Sequence, residues 1–225
     1  MKKTLLVVLA IAGLSSCKKE ISKLVDQDKI WTYYELFYDE NTDVTTASAT
    51  FRFSSEDGTR LMLSEPSTIT IDGTEMTWSD ELGYYQNQFS GLKATAEFHW
   101  VDLDGNSFTN TIEVRDIAYP TILDDTLLHA DSVSYFMWEG APLEEFESVR
   151  LTLDGEGTSD TRIWSVDSIS ATTITIDSLR LTQVDSGMVL LHLDKLYIPD
   201  LQEETSRGGL LIGKYRAMDK TIYLD

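Results

Sequence analysis

Thr68-Ile69-Thr70-Ile71-Asp72-Gly73 sets the fold class of this chain. The first four residues alternate polar and β-branched apolar side chains, the period-two pattern of a half-buried antiparallel strand. Asp72-Gly73 then supplies the pair favoured in a two-residue hairpin, whose two central positions both need positive φ. The same pattern recurs on either side. Residues 49–53, 94–101 and 107–114 are short and rich in Thr, Val, Ile and aromatics, and Asp57-Gly58, Asp104-Gly105 and Asp154-Gly155 repeat the turn signal. No window of a dozen residues carries an apolar stripe at helical spacing, so an all-β protein is expected.

The strand pattern breaks at Ile117-Ala118-Tyr119-Pro120, where Pro120 pushes the residue before it into extended geometry. It restarts at Ser132 and continues through residues 134–138, 148–153, 172–176, 188–193, 210–217 and 221–224. Each half has about the strand number of an immunoglobulin-like sandwich. The expected layout is therefore a first β-sandwich domain over 31–117 and a second over 118–225, both antiparallel. One larger sandwich, or two different β folds, is the alternative.

The chain carries 38 acidic and 18 basic side chains, a formal charge of −20. A polyanionic surface repels nucleic acid and argues against flat adhesion to anionic lipid, so no nucleic-acid partner is expected. Cys17 is the single cysteine. An intramolecular disulfide is therefore impossible, and hydrophobic burial must hold the fold.

The N-terminus reads Met1-Lys2-Lys3 followed by an uncharged run over 5–14. The run is too short for a membrane span, which takes about 20 apolar residues, and has the layout of a signal peptide. Leu14-Ser15-Ser16-Cys17 resembles the lipobox of bacterial lipoproteins. That resemblance implies a signal peptide over 1–16, lipidation of Cys17 and a membrane anchor through the acylated N-terminus. An ordinary signal peptide with an incidental Cys is the competing reading. Residues 18–30 are a polar segment, so 17–30 reads as lipidated Cys and tether, with a short helical turn on Ile21, Leu24 and Val25 as the alternative. No Asp follows Cys17, which favours the outer membrane, and Lys18-Lys19-Glu20 resembles the export tag of surface lipoproteins in Bacteroidota. A second resemblance covers most of the remaining chain. Residues 34–61, Pro66, the Ile71-Asp72-Gly73 hairpin, residues 101–112 and residues 135–153 look like the tandem-sandwich lipoproteins of that phylum. It implies fold and location, and no chemistry.

Catalytic and metal motifs are sparse. His99, His129 and His192 lie far apart in sequence, with no second His or Cys at ligand spacing. There is no nucleophile elbow and no phosphate-binding glycine loop. Ser90-Gly91-Leu92-Lys93 matches the Ser-x-x-Lys pattern of penicillin-recognising enzymes, but it sits between strand-like stretches without the partner motifs. Asp102, Asp104 and Asn106 fail the calcium-loop spacing, because glycine comes at the fourth position and not the sixth. Asp154, Glu156 and Asp160 offer alternating oxygen ligands on a glycine-rich loop, a weak calcium candidate; otherwise no metal and no cofactor is expected.

Aromatics are the one asymmetry. Within 31–38, Trp31, Tyr33 and Phe37 fall on one face and Tyr34 and Tyr38 on the other. One face must be core; the other is free for a neighbouring strand or a ligand. Trp78, Tyr84 and Tyr85 gather around Gly83, the candidate ligand-stacking group, with core packing as the competing explanation. The resulting expectation is a lipid-anchored, non-enzymatic envelope protein that binds a protein or glycan ligand. One alternative is a glycan-binding lipoprotein of a nutrient-uptake system, as in the starch-type systems it resembles. The other is a β-sandwich hydrolase.

Overall fold

The computed structural model describes residues 20–120, 132–155 and 161–224. The expected signal peptide over 1–16, Cys17, His129, Glu156 and Asp160 lie outside the described residues. In chain order the first strands are β1 (Glu20–Ile21), β2 (Ile30–Asp39), β3 (Val44–Phe53), β4 (Arg60–Met62), β5 (Thr68–Ile71) and β6 (Thr74–Glu75). Next come β7 (Thr77–Ser79), β8 (Tyr84–Ser90), β9 (Thr95–Val101) and β10 (Ser107–Glu113). The second half adds β11 (Ser134–Met137), β12 (Glu147–Asp154), β13 (Arg162–Val166), β14 (Thr173–Ile176), β15 (Gly187–Tyr197), β16 (Gly209–Arg216) and β17 (Lys220–Leu224). A single α-helical turn, Ser178–Leu181, interrupts them among the described residues, capped by the Asp177 carboxylate on the Arg180 N–H. The all-β expectation holds.

The Asp72-Gly73 hairpin forms as expected. Asp72 and Gly73 have φ of 47° and 76°, the doubly positive signature of a type I′ turn, and join β5 to β6. At 104–105 only Gly105 has positive φ. That turn is held instead by Asp102, whose buried carboxylate accepts from the N–H groups of Asp104 (2.9 Å) and Asn106 (2.8 Å) and from the Asn106 side chain (2.9 Å).

Two layers pack in each half. The large sheet runs β1-β4-β3-β2-β16-β15-β12-β13, and β10-β9-β5-β6 and β11-β14 are separate sheets. In the first half, Tyr34 of β2 stacks on Phe98 of β9 at 5.0 Å, and Phe51 of β3 meets Trp100 of β9 at 5.0 Å. In the second, the Tyr119 hydroxyl donates to the Leu191 carbonyl of β15 at 2.8 Å while its ring meets Phe136 of β11 at 5.9 Å. Alternation drives this: Tyr34, Leu36 and Tyr38 of β2, and Val149, Leu151 and Leu153 of β12, all point inward and are buried.

The strand order crosses the expected 117/118 boundary. β2 and β16 pair in parallel from Gly209↔Thr32 to Arg216↔Asp39, so one sheet runs through both halves. Side-chain bonds reinforce the junction. Gln202 and Glu203 cover the edge of β10, where the Gln202 Oε1 accepts from the Thr111 N–H at 2.7 Å and the Glu203 carboxylate accepts from the Thr109 N–H. β10 passes so close over β16 that a Cβ at Gly213 would lie 1.9 Å from the Glu113 carbonyl oxygen, leaving room for glycine alone.

The described part of the expected tether is docked and not loose. Ser22 and Gln27 are buried, β1 pairs with β4, and Gln27 Nε2 donates to the Ser22 carbonyl at 2.9 Å. The physical reason is that the amide side chain satisfies backbone groups which would otherwise need water.

Candidate functional site

The large sheet has an inner face, which carries the buried side chains Tyr34, Leu36 and Tyr38 of β2, and an opposite, outer face. On that outer face lies a groove of about 280 Å³ lined by Trp31, Tyr33, Glu35, Ser48, Thr50, Arg52, Glu56, Arg60 and Tyr84. Strand alternation builds it. Trp31, Tyr33 and Glu35 are every second residue of β2, and the ladder sets them opposite Arg52, Thr50 and Ser48 of β3. Arg52 is in turn opposite Arg60 of β4.

The walls are aromatic and the ends are charged. Trp31 and Tyr33 lie 6.4 Å apart with ring planes 28° from parallel. Trp31 is 8% exposed and forms the floor; Tyr33 and Tyr84 are half-buried. Burial pushes the Tyr33 hydroxyl up, and the neighbouring Glu35 carboxylate adds to it. Burial also raises the Glu35 carboxyl, with Lys214 and Tyr33 pulling the other way. Arg52 is pushed down by burial first and by the like charge of Arg60 second. Further along the same face Lys214 sits 4.5 Å from the Phe37 ring centroid. Lys214 and Arg216 both grip Asp194, at 3.3 Å and 2.8 Å.

The three aromatics singled out in sequence do not form one site. Adjacent strand residues point to opposite faces, so Tyr84 and Tyr85 part company. Tyr85 is core: it is 7% exposed, its hydroxyl accepts from the Leu63 N–H at 2.9 Å, and its ring meets Phe51 at 5.9 Å. Trp78, opposite Tyr85 in the β7–β8 ladder, packs against it at 5.0 Å, and its Nε1 donates to Asp80 at 2.9 Å. Tyr84 alone lines the groove. The alternation within 31–38 was the better guide, since it separated Tyr34 and Tyr38 from Trp31 and Tyr33. Arg52 and Arg60 left no sequence signal, because their meeting depends on the β3–β4 register.

The other candidates are accounted for locally. His99 Nε2 is 2.7 Å from Ser107 Oγ, and His192 Nδ1 is 2.7 Å from Asp219. Lys93 pairs with Asp72 at 2.6 Å, and the Ser90-Gly91-Leu92-Lys93 segment follows the end of β8, where no helical turn brings Lys93 back to Ser90. Asp154 Oδ1 accepts from the Thr161 hydroxyl at 2.7 Å. Among the described residues no cluster of three His, Cys, Asp or Glu could hold a metal, and no helix is long and apolar enough to cross a membrane.

No family model matches the chain, and no curated protein matches it. Among solved structures, the chain is similar to a Ca²⁺-stabilised adhesin that helps an Antarctic bacterium reach out and bind ice. The two are 14% identical with a TM-score of 0.27, over 87% of this chain and 49% of that one. It is also similar to a 1.5-MDa bacterial ice-binding adhesin from work on host cell surface retention, at 14% identity and TM-score 0.27, over 86% of this chain and 64% of that one. The chain thus spans less than two thirds of either structure, and similarity this loose defines no common fold.

Proposed function

We propose that this chain is a lipid-anchored, non-enzymatic envelope protein that binds a saccharide in the outer-face groove. The observation that carries the reading is the pair of half-buried rings, Tyr33 and Tyr84, over the floor of Trp31, with hydroxyl and charged groups at the margins. Few convergent polar groups around apolar walls are the usual make-up of a small-ligand site. Ring faces suit a neutral or acidic sugar because stacking does not depend on the protein's overall charge. The lipobox resemblance at Leu14-Ser15-Ser16-Cys17 supports the anchor and, with no Asp after Cys17, an outer-membrane address. The separate second layer in each half supports reading the fold as two immunoglobulin-like sandwich lobes that share the large sheet.

A glycan array with the mature chain tests the binding. Tyr33→Ala and Tyr84→Ala each remove about 1 kcal/mol of stacking, roughly fivefold in affinity, with the thermal midpoint little changed. Unchanged binding in both variants sinks the groove as the site.

A further inference from the structure

We infer that the saccharide taken by this groove is acidic, its carboxylate gripped by Arg52 and Arg60 together; this rests on the saccharide reading above. The two arginines are register partners in the β3–β4 ladder. Like charges directly opposite in a sheet are destabilising, so the pair costs the fold something. Relief would be simple in a chain with 38 acidic residues. Elsewhere the structure takes that relief: Arg115 has Glu113, Glu144 and Glu147 within 3.0 Å, and Arg216 holds Asp194 with two bonds. Among the described residues no carboxylate comes within salt-bridge distance of Arg52 or Arg60. Each guanidinium instead donates once to a loop carbonyl, Arg52 Nη1 to Gly58 at 3.1 Å and Arg60 Nη1 to Leu82 at 2.6 Å. Those bonds orient the heads and leave four N–H donors on each for a ligand.

The groove is polarised along its length. The arginine pair and Trp31 share one end, since Trp31 is opposite Arg52 in the β2–β3 ladder. Glu35 lies four residues further along β2, about 13 Å away at the rise of a strand. A guanidinium fork matches a carboxylate in two parallel bonds, a geometry that ammonium groups lack. A uronate-type ring therefore fits with its carboxylate on Arg52 and Arg60, its face on the aromatics, and its hydroxyls toward the Glu35 end. The acids on the arginine side are Glu56 and Asp57, both exposed; they act on Arg52 through space but form no salt bridge with either guanidinium. A volume of about 280 Å³ suits one or two rings and not a wrapped chain.

The test is an array bearing uronate- and sialate-containing glycans beside neutral ones, followed by titration calorimetry with a galacturonic acid trimer and its full methyl ester. The ester keeps the rings and removes the charge. The expected result is acid at least tenfold tighter than ester, weakened by salt, with that preference lost in Arg52→Gln and Arg60→Gln and partly kept in Arg52→Lys. Both glutamines retain an N–H for the loop carbonyl. Should Arg52→Gln lower the thermal midpoint, the exposed Arg60→Gln decides alone. Binding of neutral glycans or of the ester as tightly as the acid, with the arginine variants unaffected, overturns the inference and leaves the saccharide site standing. Binding of no glycan of either kind overturns both.

Discussion

Asn110 and Glu203 exchange two hydrogen bonds across the junction of the two halves: Asn110 Nδ2 donates to the Glu203 carbonyl at 2.9 Å, and the Glu203 N–H donates to Asn110 Oδ1 at 3.2 Å. Asn110 is fully buried, and its Oδ1 also accepts from the Gln202 N–H at 2.9 Å. One amide side chain thus stands in for a strand neighbour and satisfies the backbone of a segment nearly a hundred residues away.

Replacing Asn110 by Ala removes the protein partner of three part-buried backbone groups on the exposed residues Gln202 and Glu203. The expected loss is about 1–3 kcal/mol in total for the three hydrogen bonds, read by urea denaturation of the full chain. A loss no larger than that of an exposed control such as Thr111→Ala would show that water replaces the side chain.

The shared sheet and the 202–203 clamp predict one cooperative unfolding transition for residues 17–225. A fragment ending at residue 117 loses the β2–β16 ladder and the cover over β10, and is expected to expose sheet edges and to aggregate. Two well-separated calorimetric transitions, or a fragment that melts as sharply as the whole, would show instead that the two halves fold independently.

At the junction, Glu147 is 4% exposed and bonds Arg115 at 3.0 Å and Lys195 at 3.1 Å. Burial alone would raise its carboxyl, but the Glu144 N–H, Arg115 and Lys195 outweigh it and hold the pKa below the ordinary value of 4.5. The unfolded chain therefore takes up this proton first. The stability it contributes is present above the ordinary value and is lost as pH falls through the lower folded one. Glu147→Gln leaves Lys195 buried and unpaired, a cost of about 3–5 kcal/mol at neutral pH. The gap between variant and wild type should close on acidification below 4.5, measured by denaturation midpoints against pH. A gap constant with pH would remove the charge from the explanation.

Tyr84 and Tyr85 separate binding from stability. Tyr85→Ala truncates a core aromatic and should cost about 3–5 kcal/mol. Tyr84→Ala should leave the thermal midpoint nearly in place and weaken glycan binding. The reverse ranking in a thermal melt would mean that β8 faces the other way.

Cys17→Ser is expected to abolish fatty-acid labelling of the protein in cells. Equal label in the variant would end the lipoprotein reading, and the outer-membrane address with it.

Much of the fold was legible because its signals are local. The alternation of Thr68-Ile69-Thr70-Ile71, the Asp72-Gly73 turn, and the division of Trp31, Tyr33 and Phe37 from Tyr34 and Tyr38 each follow from neighbours a few residues apart. Of Trp78, Tyr84 and Tyr85, the first and last meet in space as the competing core-packing explanation has it, while Tyr84 turns to the groove, because a strand sends successive side chains to opposite faces.

By itself, then, the sequence determined the strand class, one tight hairpin and the inward face of β2. Only the tertiary structure decided that β2 would pair with β16, that Asn110 would hold Glu203, and that Arg52 would face Arg60 above an aromatic floor. Those relations depend on which distant strands become neighbours and in what register. Side-chain pattern says which face of a strand is apolar, but the partner is chosen by the packing of the whole sheet.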